Sequence, residues 1–183
     1  MRGLPDITDL IEAHAAMRGL LFIVASLDLP DSWIGAGFVR NAVWDALHGR
    51  PFDLASLDDV DVVFLDRTEI GAERDDALQA HLQRLCPDHR WQVKNQARMH
   101  LRNGDAPYRD TAGAIARWPE TATAIAARLA GDHVDIIAPH GIEDLLGLIV
   151  RPTPSFFGKM DVYRERLARK DWSTRWPKLT FLS

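Results

Sequence analysis

The sequence predicts an α/β (α+β) fold, a mixed sheet flanked by helices and followed by a helical C-terminal part. Two observations predict it. Segments with strand-like and helix-like patterns alternate along the first two thirds of the chain. The composition, 46% hydrophobic and 26% charged over 183 residues, is that of an ordinary globular protein. We expect residues 1–130 to form the core, with a strand and helices of residues 131–183 packed on it in the same domain.

The N-terminal elements follow from spacing and from helix stop signals. Apolar residues at helical intervals predict a first helix over residues 9–26, which a proline terminates. A short buried strand with a turn of small residues follows over 32–37, and then a helix over 39–48. β-branched residues predict a strand over 60–65. The amphipathic pattern of residues 73–85 predicts another helix, again closed by a proline.

The second half is predicted to be richer in helix. Apolar and polar residues alternate over 91–101, which predicts a third strand. Residues 121–129 are predicted as a helix and 134–138 as a fourth strand. Helices are expected to begin at 141, reaching about 149, and to cover the highly charged residues 161–170.

Charge and cysteine content restrict the function classes. The net charge is -4, so the bulk composition does not indicate a nucleic-acid binder. The single cysteine, Cys86, excludes an internal disulfide framework and favours a reducing compartment. No signal peptide or membrane span is recognisable. We therefore expect a cytoplasmic protein that has no membrane partner.

Two aspartates at the start of a strand are the most informative residues for chemistry. Asp59 and Asp61 are two residues apart, so in a strand their carboxylates project from the same face. Such a pair repels itself unless a cation lies between the two carboxylates. Mg²⁺ (or Mn²⁺) suits this arrangement, because it binds one or two carboxylates together with water and phosphate. The alternative interpretation is a capping aspartate followed by a solvated one at a strand edge.

A turn of small residues precedes the second predicted helix. Gly35, Ala36 and Gly37 would let backbone N–H groups approach a phosphate, and the helix N-terminus would add its positive end. Arg40, one turn into the helix, would add a charged contact. A β-branched residue at position 35 is expected to fill the phosphate space and to resist a positive φ. The alternative interpretation is a plain strand-to-helix turn.

Taken together, these segments resemble the nucleotidyltransferase (DNA polymerase beta-like) superfamily, in which a strand, a Gly-rich turn and a helix precede Asp-x-Asp on the next strand. Gly35 to Asn41 also looks like the corresponding turn of the tRNA CCA-adding group. The whole chain resembles an uncharacterised bacterial family of nucleotidyltransferase-like proteins, through residues 35–41, 59–63, 91–100 and 138–145.

The resemblance implies the nucleotidyltransferase-type mixed sheet and a reaction class. A nucleoside monophosphate would pass from an NTP to an unknown acceptor, which is a small molecule, RNA or protein. Asp59 and Asp61 would hold Mg²⁺ or Mn²⁺. Gly35, Ala36 and Gly37 would lie under the triphosphate.

The chain departs from the superfamily pattern at three places. The gap from Gly35 to Asp59 is longer than in minimal members, which the loop around Pro51 can absorb. Ala36 replaces a Gly or Ser of the turn. The usual third carboxylate of the following strand is missing, and Asn95 is the candidate for its position, beside the metal pair. Lys94, Arg98 and His100 are then expected to point away from the metal. An amide does not act as a general base. A non-catalytic nucleotide-binding module and an antitoxin-like module with a toxin partner therefore stay open as alternative functions. A second copy of the chain, in a homo-oligomer, also stays open as a partner.

Overall fold

The fold is built on a five-stranded mixed sheet, seen in a computed structural model that describes residues 1–182. The strands of this sheet are β1 (Trp33–Gly35), β2 (Val60–Phe64), β3 (Trp91–Asn95), β4 (Ala126–Ala130) and β5 (His133–Ile137). Their order across the sheet is β3-β2-β1-β4-β5. Within this sheet β2 and β3 run parallel and the other neighbouring strands run antiparallel, and a helix connects β2 to β3, as is usual for a parallel crossover. A separate two-stranded sheet pairs β6 (Ile149–Val150) with β7 (Thr180–Phe181).

The helices lie around this sheet. They are α1 (Leu4–Ala13), α2 (Ala15–Ala25), α3 (Gly37–Leu47), α4 (Ala72–Leu85), α5 (Met99–Asn103), α6 (Thr111–Ile115), α7 (Glu143–Leu146), α8 (Met160–Ala168) and α9 (Trp172–Arg175). None of the helices within residues 1–182 is long and apolar enough to cross a membrane.

The two faces of the sheet differ in what covers them. The main core lies on one face, where α1 to α4 pack against alternate residues of β2 and β3, such as Val62 and Val93. A smaller cluster on the other face joins Trp33, Val63 and Ile115, with Trp118 packed against it. This second face is covered only in part, and the part left open is where Asp61 lies.

The strand and helix alternation predicted for residues 32–85 is confirmed, with bounds shifted by one or two residues. The predicted first helix is instead two helices, because the chain leaves helical geometry at His14 (ψ 96°). The His14 side chain accepts a hydrogen bond from the Met17 N–H at 3.3 Å and so caps α2. The third strand ends at Asn95, and residues 99–101 of its predicted range belong to α5.

The helix predicted over residues 121–129 is wrong. Residues 126–130 form β4, which pairs antiparallel with both β1 and β5. The β4–β5 hairpin spans the predicted boundary between residues 130 and 131, so both segments contribute to one sheet. The helix expected from 141 to 149 is only the four-residue α7. The fourth predicted strand and the charged helix near 161–170 are confirmed as β5 and α8.

Candidate active site

Asp61 lies inside the sheet, on β2, between β1 and the edge strand β3. It is the second residue of β2 and pairs with Gly35 on β1 and with Gln92 on β3. Asp59 directly precedes the strand, and its carboxylate accepts a hydrogen bond from the Gln92 side chain. Both aspartates are half-buried.

The electrostatics of Asp61 reflect its neighbours. Its pKa is raised to about 6, first because burial disfavours the charged carboxylate and second because Asp59 is also negative. The positive charges of Arg40, Arg166 and Lys170 oppose this shift. A bound cation would remove the repulsion between the two carboxylates.

The turn between β1 and α3 places its three small residues in different roles. Ala36, with φ 52° and ψ -119°, has a positive φ and precedes the first residue of α3. Gly35 does not have a positive φ, so that expectation was wrong. A Cβ on Gly35 would instead lie 2.5 Å from Cη2 of Trp118, so its missing side chain makes room for the indole. A Cβ on Gly37 would meet only ordinary contacts, the nearest at 3.5 Å.

Arg40 is buried, with 6% of its surface exposed. Its guanidinium donates to Oγ1 of Thr123 at 2.9 Å and to Oδ1 of Asn41 at 2.8 Å. It also stacks 4.4 Å from the ring centre of Trp172. Burial lowers its pKa to about 10, against the opposing charges of Glu120 and Asp61. Arg40 therefore acts on Asp61 through its charge and lines a second cleft, next to the one that contains Asp61.

Asn95 does not lie beside the aspartate pair. It shares the core face with Trp91 and Val93, whereas Asp61 points to the opposite face. Its Nδ2 donates to the carbonyl oxygens of Asp66 at 2.7 Å and Glu69 at 3.0 Å. Its Oδ1 accepts from two backbone N–H groups. All four hydrogen-bonding positions of the amide are used, so the assignment of Asn95 to the third-carboxylate position was wrong.

Lys94 occupies the face on which Asn95 was expected. It lines the cleft around Asp61, contrary to the expectation that it points away. Arg98 and His100 were expected to share the face of Lys94. Arg98 instead pairs with the buried Asp75, and His100 lies in α5. A signal for this was present in the sequence. Trp91 and Val93 are apolar, so the residue with their parity, Asn95, belongs on the core face.

The cleft around Asp61 has a volume of about 530 Å³, within the range of small-molecule sites. Asp61 is its single carboxylate among residues 1–182. The cations that line it come from β3, α5, the segment before β4, and the α8 region: Lys94, Arg102, Arg117, Lys159 and Arg166. No sequence motif marks these cations as one group, because separate segments between residues 94 and 166 contribute them.

Arg166 is the cation of this cleft with the firmest anchor. Its Nε donates to Oε1 of Glu120 at 2.7 Å, and Glu120 has no exposed surface. Lys159 and Arg117 are held more loosely, by the Asn103 carbonyl at 3.3 Å and by Oγ of Ser155 at 3.3 Å.

The family comparison decides the class of the protein. A nucleotidyltransferase family model matches residues 22–181 of the chain. The chain belongs to this nucleotidyltransferase family. The family predicted from the sequence is therefore confirmed. No curated protein sequence matches the chain.

Solved structures agree with the nucleotidyltransferase assignment. An NMR structure described as revealing a CCA-adding enzyme head domain is 33% identical, with a TM-score of 0.89 over 100% of this chain and 97% of that one. A CCA-adding enzyme in complex with CTP is 14% identical with a TM-score of 0.61. The Thermotoga maritima CCA-adding enzyme complexed with tRNA is 15% identical with a TM-score of 0.59. The chain spans 44% and 43% of the length of these two enzymes, and they support the fold alone.

Proposed function

We propose that this protein transfers a nucleoside monophosphate from an NTP to an acceptor, with Mg²⁺ or Mn²⁺ held by Asp59 and Asp61. One observation carries the proposal: Asp61 lies in a cleft whose other charged groups are all cations. A polyphosphate is the ligand class that such a cleft attracts, and a metal-binding carboxylate is the group that a transferring phosphoryl needs nearby.

The aspartate pair fits a divalent cation. Two half-buried carboxylates lie on neighbouring positions of one face, and burial together with the charge of Asp59 raises the pKa of Asp61. Mg²⁺ is commonly bound through one or two carboxylates, with phosphate and water completing its coordination. When bound, the ion neutralises charge on the phosphoryl group that is transferred.

The chain's own residues would hold the nucleotide. Lys94, Arg117 and Arg166 carry positive charge into the cleft, and Ala36 lines it where α3 begins. The N-terminus of this 11-residue helix adds favourable potential for phosphate. Arg40 contributes to the site through its buried positive charge, which favours the ionised form of Asp61.

For the acceptor we propose the end of an RNA. The support is twofold. Proteins of the same fold are described as CCA-adding enzymes in complex with CTP and with tRNA. The cleft also combines the cation Arg102 with the aromatic side chains of Trp118 and Phe156, and a basic groove that carries aromatic side chains suits an unpaired nucleic-acid end.

Metal binding and labelling test the function separately. Mn²⁺ titration calorimetry on the wild type should show a site that the Asp59→Asn/Asp61→Asn double variant lacks. Radiolabelled NTPs should then label an RNA pool with the wild type and not with Asp61→Asn. Unchanged Mn²⁺ binding in the double variant, or full labelling by Asp61→Asn, contradicts the assignment.

A second candidate is a nucleotide-binding module without turnover. Within residues 1–182, no group of three or more His, Cys, Asp or Glu side chains is placed to hold a metal, so the pair has no third acid. Proton transfer by a positioned base contributes about 10²–10⁴-fold to rate. NTP binding by the wild type with no labelling of RNA, protein or small-molecule pools would select this candidate.

A further inference from the structure

We propose that Lys94 is the phosphate-contacting residue of the Asp61 cleft and supplies the charge that a second metal ion would otherwise supply. The inference rests on the proposed function, because it assumes that a nucleotide triphosphate binds in this cleft. It assigns a specific role to a residue that was expected to point away from the metal and that lines the cleft instead.

The register of β2 and β3 puts Lys94 next to the aspartates. β3 runs parallel to β2, with Gln92 opposite Asp61 and Lys94 opposite Val63. Residues two apart in a strand share a face, so Gln92 and Lys94 lie on the face of Asp61. Gln92 is neutral and its amide is engaged by Asp59. Lys94 is therefore the charged group that β3 adds to this face.

The Lys94 ammonium is available for a ligand. It lines the cleft and is half-buried. Among residues 1–182, no carboxylate forms an ion pair with it. Arg166, by comparison, is tied to Glu120. A mobile ammonium on an apolar stem suits the changing charge of a polyphosphate.

The positive charge of Lys94 also limits the number of metal ions that the site holds. Many phosphoryl-transfer sites use two metal ions about 3.5–4 Å apart. Two such ions share the carboxylates and the phosphates of the nucleotide as ligands, and within residues 1–182 no third acid joins Asp59 and Asp61 to hold the second ion. A lysine on the same face repels a second cation and can neutralise phosphate itself. The site then holds a single divalent ion with each bound nucleotide.

The first test compares ligands that differ in phosphate number. Affinities for α,β-methylene triphosphates of the four common nucleosides, and for the matching monophosphates, are measured with Mg²⁺ on wild type and Lys94→Met. Methionine keeps the apolar stem, and the melting temperature checks the fold. We expect Lys94→Met to weaken triphosphate binding at least about tenfold and monophosphate binding much less.

The matched control is Arg84→Met, which removes the same charge from an exposed position of α4 on the other side of the sheet. It should leave both affinities within about twofold of wild type. Equal losses in Lys94→Met and Arg84→Met, or an unchanged triphosphate affinity in Lys94→Met, overturn the inference. Absence of triphosphate binding by the wild type would instead contradict the proposed function.

The second test counts metal ions. Electron paramagnetic resonance of Mn²⁺, with saturating methylene triphosphate, should give one ion per wild-type complex. Lys94→Glu places an acid on the same face and should raise the count to two, whereas Lys94→Met should leave it at one. Two ions in the wild type, or one in a folded Lys94→Glu that still binds the nucleotide, overturn the assignment.

Discussion

Ala36 adopts a backbone conformation that strains an L-residue. Its φ of 52° with ψ -119° lies in a region that glycine enters freely and alanine does not. The turn is nevertheless held, because the Ala36 N–H donates to the Ile125 carbonyl at 3.0 Å and its own carbonyl accepts from Arg40 at 3.0 Å. The strain is located where β1 turns into α3, at the edge of the Asp61 cleft.

Replacing Ala36 by glycine should therefore stabilise the protein. Relief of about 1–3 kcal/mol of strain outweighs the about 0.4–1 kcal/mol that the more flexible unfolded chain gains. We expect the free energy of unfolding in urea to rise by about 1 kcal/mol. The matched control is Ala77→Gly, at an exposed position of α4, which should lose about 1 kcal/mol. A loss of stability in Ala36→Gly contradicts the strain argument.

Replacing Asn95 should destabilise the protein, because all four hydrogen-bonding positions of its amide have partners. In Asn95→Asp, two carbonyl acceptors that now receive N–H groups would face a carboxylate, and a protonated acid serves only one of them. We expect a loss of about 2–3 kcal/mol in the free energy of unfolding. Mn²⁺ affinity should not increase, since the side chain points away from Asp59 and Asp61. Tighter Mn²⁺ binding in this variant would return Asn95 to the metal site.

At the level of elements, the segment before β4 packs closely against β1 because Gly35 has no side chain. The Trp118 indole covers Gly35, and the Trp118 carbonyl accepts from the Thr153 hydroxyl at 2.7 Å. The indole also forms part of the cleft wall. The indole can therefore approach the strand this closely because position 35 is a glycine, which has no Cβ.

Gly35→Ala should accordingly push Trp118 off the sheet. The new Cβ would lie 2.5 Å from the indole, and overpacking of this kind costs about 1–3 kcal/mol. In a Trp118→Leu background the same change should cost much less, which a double-mutant cycle measures. Gly37→Ala is the control, because its Cβ has room. Additive effects of Gly35→Ala and Trp118→Leu would show that the two residues do not interact.

The same elements show what the sequence can predict. The strands with β-branched runs and the helices with clear amphipathic spacing were predicted at the observed positions, because their patterns are local. β4 was not, because three of the five residues 126–130 are alanine, which does not favour a strand, and the pairing with β1 and β5 makes the segment one. The aspartate pair was visible in the sequence as a motif. The basic cleft around it was not, since its cations converge only in three dimensions.

At the level of the whole molecule, the C-terminal residues close over α3. Trp172 and Trp176 pack edge-to-face on Trp44, with ring centres 5.4 Å and 5.1 Å away. β7 then pairs with β6 and completes the small sheet. The segment also holds Arg40 in place through its contact with Trp172. The position of the Arg40 charge next to Asp61 therefore depends on the packing of the C-terminal segment.

Asp45 is the polar anchor of this docking. Its carboxylate accepts from the Trp176 indole N–H at 2.8 Å and from Arg50 at 2.9 Å, and it pairs with Arg175 at 3.4 Å. The carboxyl group is almost fully buried. Arg50 and Arg175 keep 44% and 29% of their side-chain surfaces exposed, so removing the Asp45 charge costs the charge-assisted hydrogen bonds, about 1.5–3 kcal/mol, and leaves no buried unpaired charge.

Asp45→Asn should therefore loosen the C-terminal segment before the sheet unfolds. We expect the free energy of unfolding in urea to fall by about 2 kcal/mol, and trypsin cleavage after Arg169 and Lys170 to become faster, because undocking exposes these residues further. Asp161→Asn is the control, because its exposed pair with Arg164 at 3.4 Å contributes at most about 1 kcal/mol. If both variants show the same cleavage rate, the Asp45 network does not hold the segment, and its attachment then depends on the tryptophan packing alone.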